Sequence, residues 1–295
     1  MQDREPDEFR QSAALIGLWH TFRRNRIALF SFYAFILFIL TALFGAFVAP
    51  YSADMQFVGR ELTPPSWFSN GQVAFFFGTD DIGRDVFSRL INGFRYTFGG
   101  ALIVVFFTAV IGGILGIATG MGRGAKSQIL GHFLDAFLST PILLIAIIIA
   151  TLMQPSLLNA MLAIFLALLP HFVHEIYQAI QKELNKEYVM MLRLDGATNK
   201  SLLKEAVLPN IAVPYIKEVS RAFTIALLDI SALSFIALGA QSPLPEWGTM
   251  LRDAIPLIYL APWTVFLPGI ILITTILVVI ILGNGLCKAI NQYYE

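Results

Sequence analysis

Six stretches of this 295-residue chain are long enough, and nearly free enough of charge, to cross a membrane: Ile27–Pro50, Tyr96–Met121, His132–Met153, Ser156–Tyr177, Ala222–Ala240 and Pro262–Leu286. A span needs about 20 residues. In hydrocarbon each backbone N–H and C=O must find its partner inside the segment, so such runs fold as helices. The pattern predicts an all-α polytopic membrane protein of six helices. Composition agrees, at 57% hydrophobic and 14% charged, where a soluble domain carries about 25% charged residues. The first run is too long for a signal-peptide core and lacks a small-residue cleavage site, so it reads as a retained helix. Gln154-Pro155 is the one plausible turn between the third and fourth runs, which makes them a helical hairpin.

Charge sets the expected orientation. With the amino terminus inside, 15 of the 20 Lys and Arg residues fall on the cytoplasmic side and 5 outside. That asymmetry predicts both termini in the cytoplasm. The basic cluster Arg23-Arg24-Asn25-Arg26 precedes the first run, and Arg123, Lys126, Lys217, Arg221 and Lys288 count as inner topology charges. Asp3, Glu5, Asp7 and Glu8 suggest a mobile extreme terminus. The boundaries that follow are 1–26 inside, 27–50 as first span, 51–95 outside, 96–290 as a five-helix core, and 291–295 as an inner tail. Cys287 is the single cysteine, which rules out an intrachain disulfide.

The segment from Gln178 to Asn210 interrupts the core with five basic and four acidic side chains. Each would cost roughly 2.5–3.5 kcal/mol at the centre of a span, so the segment belongs in water. Tyr188, Met191, Leu192 and Asp195 are spaced for one face of a short helix. Gly196 suits the left-handed residue that ends it. A second short helix, Ser201 to Leu208, is expected to stop before Pro209. Two readings stand: a solvated connector, or a helix whose apolar ridge, rimmed by Arg193 and Lys200, docks on a cytosolic partner.

The outer loop holds Gly78-Thr79-Asp80-Asp81-Ile82-Gly83-Arg84-Asp85 and, beyond it, Arg89 and Arg95. Interleaved acids and arginines predict a local ion-pair network, with Gly78 and Gly83 as turns. Gly112, Gly116 and Gly120 recur at four-residue spacing and let helices approach closely.

Gly196 and Leu208-Pro209 fall at the spacing of the coupling motif of binding-protein-dependent ABC permeases: Glu-Ala-Ala, three residues, Gly, nine residues, Ile-x-Leu-Pro. Met190, Met191 and Leu192 stand at the Glu-Ala-Ala positions and Ala206 at the Ile position. The string Gly-Thr-Asp-x-x-Gly-Arg-Asp-Val resembles the signature before the second helix in the C-type subunits of the dipeptide and oligopeptide permeases. Further resemblances lie in Pro141–Ile147, Asp229–Gln241, Pro245–Leu251, Ala261–Gly269 and Ile281–Leu286, with Asn284 where an aspartate is usual.

The resemblance covers nearly the whole chain. It implies a six-helix type-1 ABC permease with a cytoplasmic coupling helix, in a bacterial inner membrane. Met190, Met191, Leu192, Arg193, Gly196, Ala197, Leu208 and Pro209 would then couple to the ATPase. The implied partners are a second homologous permease, two cytosolic ATP-binding subunits and a periplasmic substrate-binding protein, beside membrane lipid. No nucleic acid, cofactor or catalytic role is implied. The implied cargo is peptide, including cationic antimicrobial peptides, while other members carry polyamine, nickel or haem-like cargo. A membrane receptor or assembly scaffold is the rival class.

Other chemistry is weaker. Gly120 to Ser127 is near a phosphate loop, but Ala125 replaces a required Gly and no strand precedes it. His171, His174 and Glu175 match neither zinc-protease order. Two histidines do not fill a zinc site, which leaves an interfacial or packing role. Asp135 and Asp229 are the acids most clearly within spans, where ionisable groups face the bundle or a watery cavity. Asp135 reads as structural. Asp229, with Ser231 and Ser234, reads either as part of a pathway or as a helix–helix hydrogen bond.

Overall fold

A computed structural model describes residues 7–122 and 138–294, with backbone alone for 7–15 and 294. Residues 132–137 of the third expected span, Asp135 among them, with Arg123, Lys126 and the phosphate-loop-like run beyond Gly122, lie outside the described residues.

The amino-terminal segment is helical from Asp7 onward, while Asp3 and Glu5, two of the acids behind the expectation of a mobile terminus, lie outside the described residues. Helix α1 (Asp7–Arg24) runs to a break at Asn25, and α2 (Arg26–Val48) follows. The Asn25 Oδ1 accepts from the N–H groups of Ile27 and Ala28, both at 3.2 Å. It thereby satisfies two donors that the first turn of α2 leaves free. Apolar packing holds α1 down. Phe22 is buried with Ala28 and Ala289, and Trp19 stacks on Phe22 at 5.8 Å between centroids.

The second span starts earlier than expected. Helix α3 (Val86–Gly93), a π-turn (Phe94–Phe98) and α4 (Gly99–Gly120) make one rod of 35 residues. Next come α5 (Ile142–Thr151) and α6 (Leu157–Leu184), paired across a turn where Ser156 caps α6. Then α7 (Glu187–Leu194) leads through Asn199–Ser201 and a π-segment (Leu202–Val207) into α8 (Leu208–Phe235). The last helices are α9 (Trp247–Ala254) and α10 (Trp263–Tyr294).

Among the described residues four helices are long and apolar enough to cross a membrane: Arg26–Val48, Val86–Gly120, Leu157–Leu184 and Trp263–Tyr293. Helix α8 has 28 residues, about 42 Å at 1.5 Å each, but carries more charge. The expected fifth span began at Ala222. In the structure Lys217 and Arg221, counted as loop charges, already lie inside α8.

Pro209 does not end a helix as expected. It sits in the first turn of α8, directly after the π-segment. A missing N–H costs little in a first turn, and the wider π geometry leaves the backbone room before the ring.

Helices α4, α6 and α8 form the centre, α10 packs along α8, and α2 along α10. The glycine row explains the close α4–α6 contact. A Cβ at Gly112, Gly116 or Gly120 would come within 2.8 Å of Phe172, 2.7 Å of Ile176 or 2.9 Å of Ile180. Only hydrogen fits there, so the backbones meet.

Candidate functional site

The segment between α6 and α8 is a small folded unit on a clamped stem. Glu183, near the end of α6, is buried. Its carboxylate accepts from the Tyr188 hydroxyl at 2.5 Å and pairs with Lys186 Nζ at 2.7 Å. A buried carboxylate requires such partners. Asn210, in the first turn of α8, donates from Nδ2 to the Tyr188 hydroxyl at 3.0 Å and to Ala206 O at 2.7 Å. Three helices are thus tied at one point: α6 by Glu183, α7 by Tyr188, α8 by Asn210. Burial, then the bond to Glu183, pushes the Tyr188 hydroxyl up to about 12. It therefore stays a donor at any physiological pH.

Helix α7 turns one side inward. Val189 is fully buried, with Leu202, Ala206 and Val207 beneath it. The opposite side carries Met190, Met191 and Leu194, which are 59%, 65% and 83% exposed. Expectation placed Tyr188, Met191, Leu192 and Asp195 near one face, with Met and Leu supplying the exposed apolar surface. In the structure Met191 and Leu192 are exposed, Leu194 adds to the ridge, and the hydroxyl of the partly exposed Tyr188 is bonded to Glu183. Arg193 is exposed beside the ridge and forms no ion pair among the described residues.

Gly196 has φ of +87°. The Gly196 N–H donates to Arg193 O at 3.1 Å and the Ala197 N–H to Leu192 O at 3.0 Å. This is the Schellman arrangement, which satisfies the last carbonyls of α7 and needs a left-handed residue. A Cβ at Gly196 would meet nothing within 4 Å. The glycine is required by conformation, not by space.

The outer motif forms the ion-pair network that its pattern predicts. Asp80 Oδ1 accepts from the Ile82 and Arg84 N–H groups, and Asp80 Oδ2 from Arg84 Nε at 2.5 Å. Asp85 caps α3 through the Ser88 N–H at 2.8 Å. Burial raises the Asp85 carboxyl, opposed by its bonds from Ser88. Thr79 O accepts from Trp263 Nε1 at 3.2 Å, which pins the turn to α10. Arg89 is buried and donates to Ala53 O and Pro243 O at 3.1 and 3.4 Å. Arg95 stands exposed and outside the network.

Of the expected pathway residues, Asp229 is buried in α8, and its Oδ2 has no hydrogen-bond partner among the described residues. The structure does not group the two serines with it. Ser231 donates to Glu246 Oε1 at 3.2 Å, and Ser234 Oγ accepts from the Ala240 N–H at 3.0 Å. Glu246 is fully buried. Its carboxylate also accepts from Thr97 Oγ1 at 2.9 Å and the Thr249 N–H at 2.9 Å. Trp247 is fully buried beside it and donates from Nε1 to Leu90 O at 3.2 Å. This Glu-Trp plug joins α9 to α8 and the α3–α4 rod.

His171 is buried with Nδ1 3.3 Å from Ala167 O. Glu175 pairs with Arg221 at 3.5 Å, and Arg221 also reaches Glu218 at 3.4 Å. Among the described residues no three His, Cys, Asp or Glu side chains gather as a metal ligand set.

From sequence Glu183 and Asn210 carried no role, Tyr188 only a place on one helix face, and Glu246 and Trp247 only a place in a resembling string. Glu183 and Tyr188 look like ordinary members of a charged run. Glu246-Trp247 carried a usable signal, an acid and a tryptophan before a short helix with Gly248 next.

The architecture is similar to a chain of the inward-facing MetNI methionine ABC transporter. The TM-score is 0.58 at 15% identity, over 68% of this chain and 96% of that one. At that identity the likeness speaks for the fold: an all-α permease of ABC-importer type. Residues 112–292 match the family of binding-protein-dependent transport system inner membrane components, and residues 10–65 the N-terminal transmembrane domain of oligopeptide transport permease C. The chain belongs to this family of multi-pass inner-membrane permeases. It is 62% identical over its full length, and that of the relative, to the peptide transport system permease protein SapC of Haemophilus influenzae. It is 46% identical to SapC of Escherichia coli O6:H1 over 96% of both chains. It is 38% identical to the di/tripeptide permease DppC of Pseudomonas aeruginosa over 92% of this chain and 90% of that one. The strings Glu187-Tyr-Val, Leu192–Ala197 and Phe75–Asp81 point to the same branch, the C subunit of Sap peptide transporters.

Proposed function

We propose that this chain is the non-catalytic permease subunit of an ATP-driven peptide importer, and that α7 couples it to an ATPase. The observation that carries the coupling is the α7 ridge of Met190, Met191 and Leu194. It is apolar, exposed and mounted on a clamped stem. An amphipathic helix of this kind seats in a hydrophobic groove. Arg193 supplies a rim charge, and Gly196, Ala197, Leu208 and Pro209 set the angle at which the ridge is presented. A homologous permease forms the other half of the pore, two ATP-binding subunits lie beneath, and a periplasmic binding protein delivers cargo. Both termini face the cytoplasm. The peptide cargo is supported by the names of relatives up to 62% identical. Asp229 is the pathway candidate in this chain, while Ser231 and Ser234 hold the adjoining turn. The Gly78–Asp85 motif locks the outer loop.

The test uses Gly196→Val and Arg193→Glu. A β-branched residue at positive φ is an outlier, so the first re-aims the loop. The second reverses the rim charge. Both variants are expected to insert normally and keep the partner permease, with ATPase pull-down and substrate-stimulated ATP hydrolysis reduced. Wild-type values for both measurements in both variants would reduce the loop to a connector.

A further inference from the structure

We propose that the cleft between the end of α1 and the last turns of α10 binds the headgroup of one anionic phospholipid. The cleft has a volume of about 510 Å³, within the roughly 300–1,000 Å³ of small-ligand sites. Arg24, Asn25, Lys288 and Gln292 line it, over a floor that includes Phe22 and Ala289, and among the described residues no acidic side chain lines it. Neither Arg24 nor Lys288 pairs with a carboxylate among the described residues. Asn25 spends its Oδ1 on the N–H groups of Ile27 and Ala28. Its amide NH₂ remains as a donor beside the two cations. The donor set suits a phosphodiester: a planar guanidinium, an ammonium and an amide, with no competing anion.

Position selects a lipid over a free phosphate. Arg24 and Asn25 immediately precede the apolar span Arg26–Val48, and Lys288 lies in the last turns of the span Trp263–Tyr293. The cleft therefore sits where hydrocarbon meets water, the level at which basic pockets between helices take anionic headgroups. Beside it α2 exposes Ile27, Phe30, Tyr33, Leu37, Leu40 and Phe44. These residues are three or four apart, so they form one apolar stripe. A stripe of this kind suits lipid hydrocarbon, which places Arg26–Val48 against acyl chains below the level of Arg24 and Asn25. Trp19 is exposed on α1, and tryptophan suits headgroup depth. The inference rests on the chain spanning a membrane and is independent of its cargo and of the α7 assignment.

The test titrates the full chain, purified in its complex, with phosphatidylglycerol or phosphatidylcholine, and reads bound lipid by native mass spectrometry. Wild type is expected to retain one phosphatidylglycerol in preference to phosphatidylcholine. Arg24→Gln/Lys288→Gln should bind it about thirty-fold more weakly. The charge-preserving Arg24→Lys/Lys288→Arg variant should restore binding. Because the neutral variant can fail to insert, wild type is also titrated at rising salt, which should weaken binding. Equal affinity for the two lipids, insensitivity to salt, or undiminished binding by an inserted neutral variant would each overturn the proposal. Displacement of phosphatidylglycerol by inorganic phosphate would overturn it in favour of a free anion site.

Discussion

Tyr188 shows what one side chain contributes to the coupling loop. Its hydroxyl is shared by α6, α7 and α8, through Glu183 and Asn210. A hydrogen bond to a charged group is worth about 1.5–3 kcal/mol. Tyr188→Phe should therefore raise amide exchange across residues 185–207 while leaving α4 and α6 protected. The pH dependence has a definite sign. The hydroxyl ionises at about 12 when folded, above the ordinary value of 10. Its contribution is whole below pH 10 and is lost as pH rises from 10 through 12. Exchange protection of the loop should fall across that window in wild type, and Tyr188→Phe should lack that component. Equal protection in both proteins at neutral pH would remove the clamp from the account. Gly196 was legible because few residues other than glycine take a left-handed cap. Glu183 was not, because whether an acid is buried depends on what folds over it.

Helix packing depends on the glycine row of α4. A Cβ at Gly116 would lie 2.7 Å from Ile176 Cβ and 3.2 Å from Val173 O. The facing atoms include backbone, so the contact cannot relax by a rotamer change alone. Gly116→Val is expected to lower stability by about 1–3 kcal/mol, read as a lower Tm in detergent. Gly269→Ala is the control, since a Cβ there meets nothing within 4 Å. It should be neutral or slightly stabilising, because Ala is the better helix former. A Gly116→Val protein that melts with wild type would show that α4 and α6 can separate freely. The existence of these helices was legible from apolar length. Their ends were not. Lys182 and Glu183 marked an expected loop, yet α6 runs to Leu184 because Glu183 is neutralised within the fold. The same holds for α8, whose Arg221 finds Glu175 and Glu218.

Orientation belongs to the whole molecule. Lys and Arg asymmetry predicts Gly78–Asp85 outside and the α7 loop inside. Single cysteines at Asp81 and Lys200, in a chain lacking Cys287, test this with a membrane-impermeant thiol reagent. Asp81 and Lys200 are both exposed, so accessibility is not limited by burial. The Asp81 site should label from the periplasm and the Lys200 site only after the cytoplasmic face is opened. Labelling of both from one side would refute the topology. The two sites stand at opposite ends of the transport scheme, with the outer loop locked by Asp80 and Arg84 and the inner loop by Glu183 and Tyr188.

Apolar length and basic asymmetry were enough, from sequence alone, to make this chain a polytopic membrane protein, while its place among permeases came from the resemblance of its motifs to that family's. These are local properties, set by solvent transfer and by backbone conformations that particular residues permit. The outer ion pairs were legible for the same reason, since Asp80 and Arg84 lie within one turn. Tertiary structure decided the rest. It bonded the Tyr188 hydroxyl to Glu183 and Asn210, left Leu194 exposed, carried α8 through Pro209, buried Glu246 with Trp247, and folded α1 onto α10. The burial of Glu246 and Trp247 and the packing of α1 on α10 depend on partners distant in sequence, and a buried polar group takes the position in which its hydrogen bonds are met.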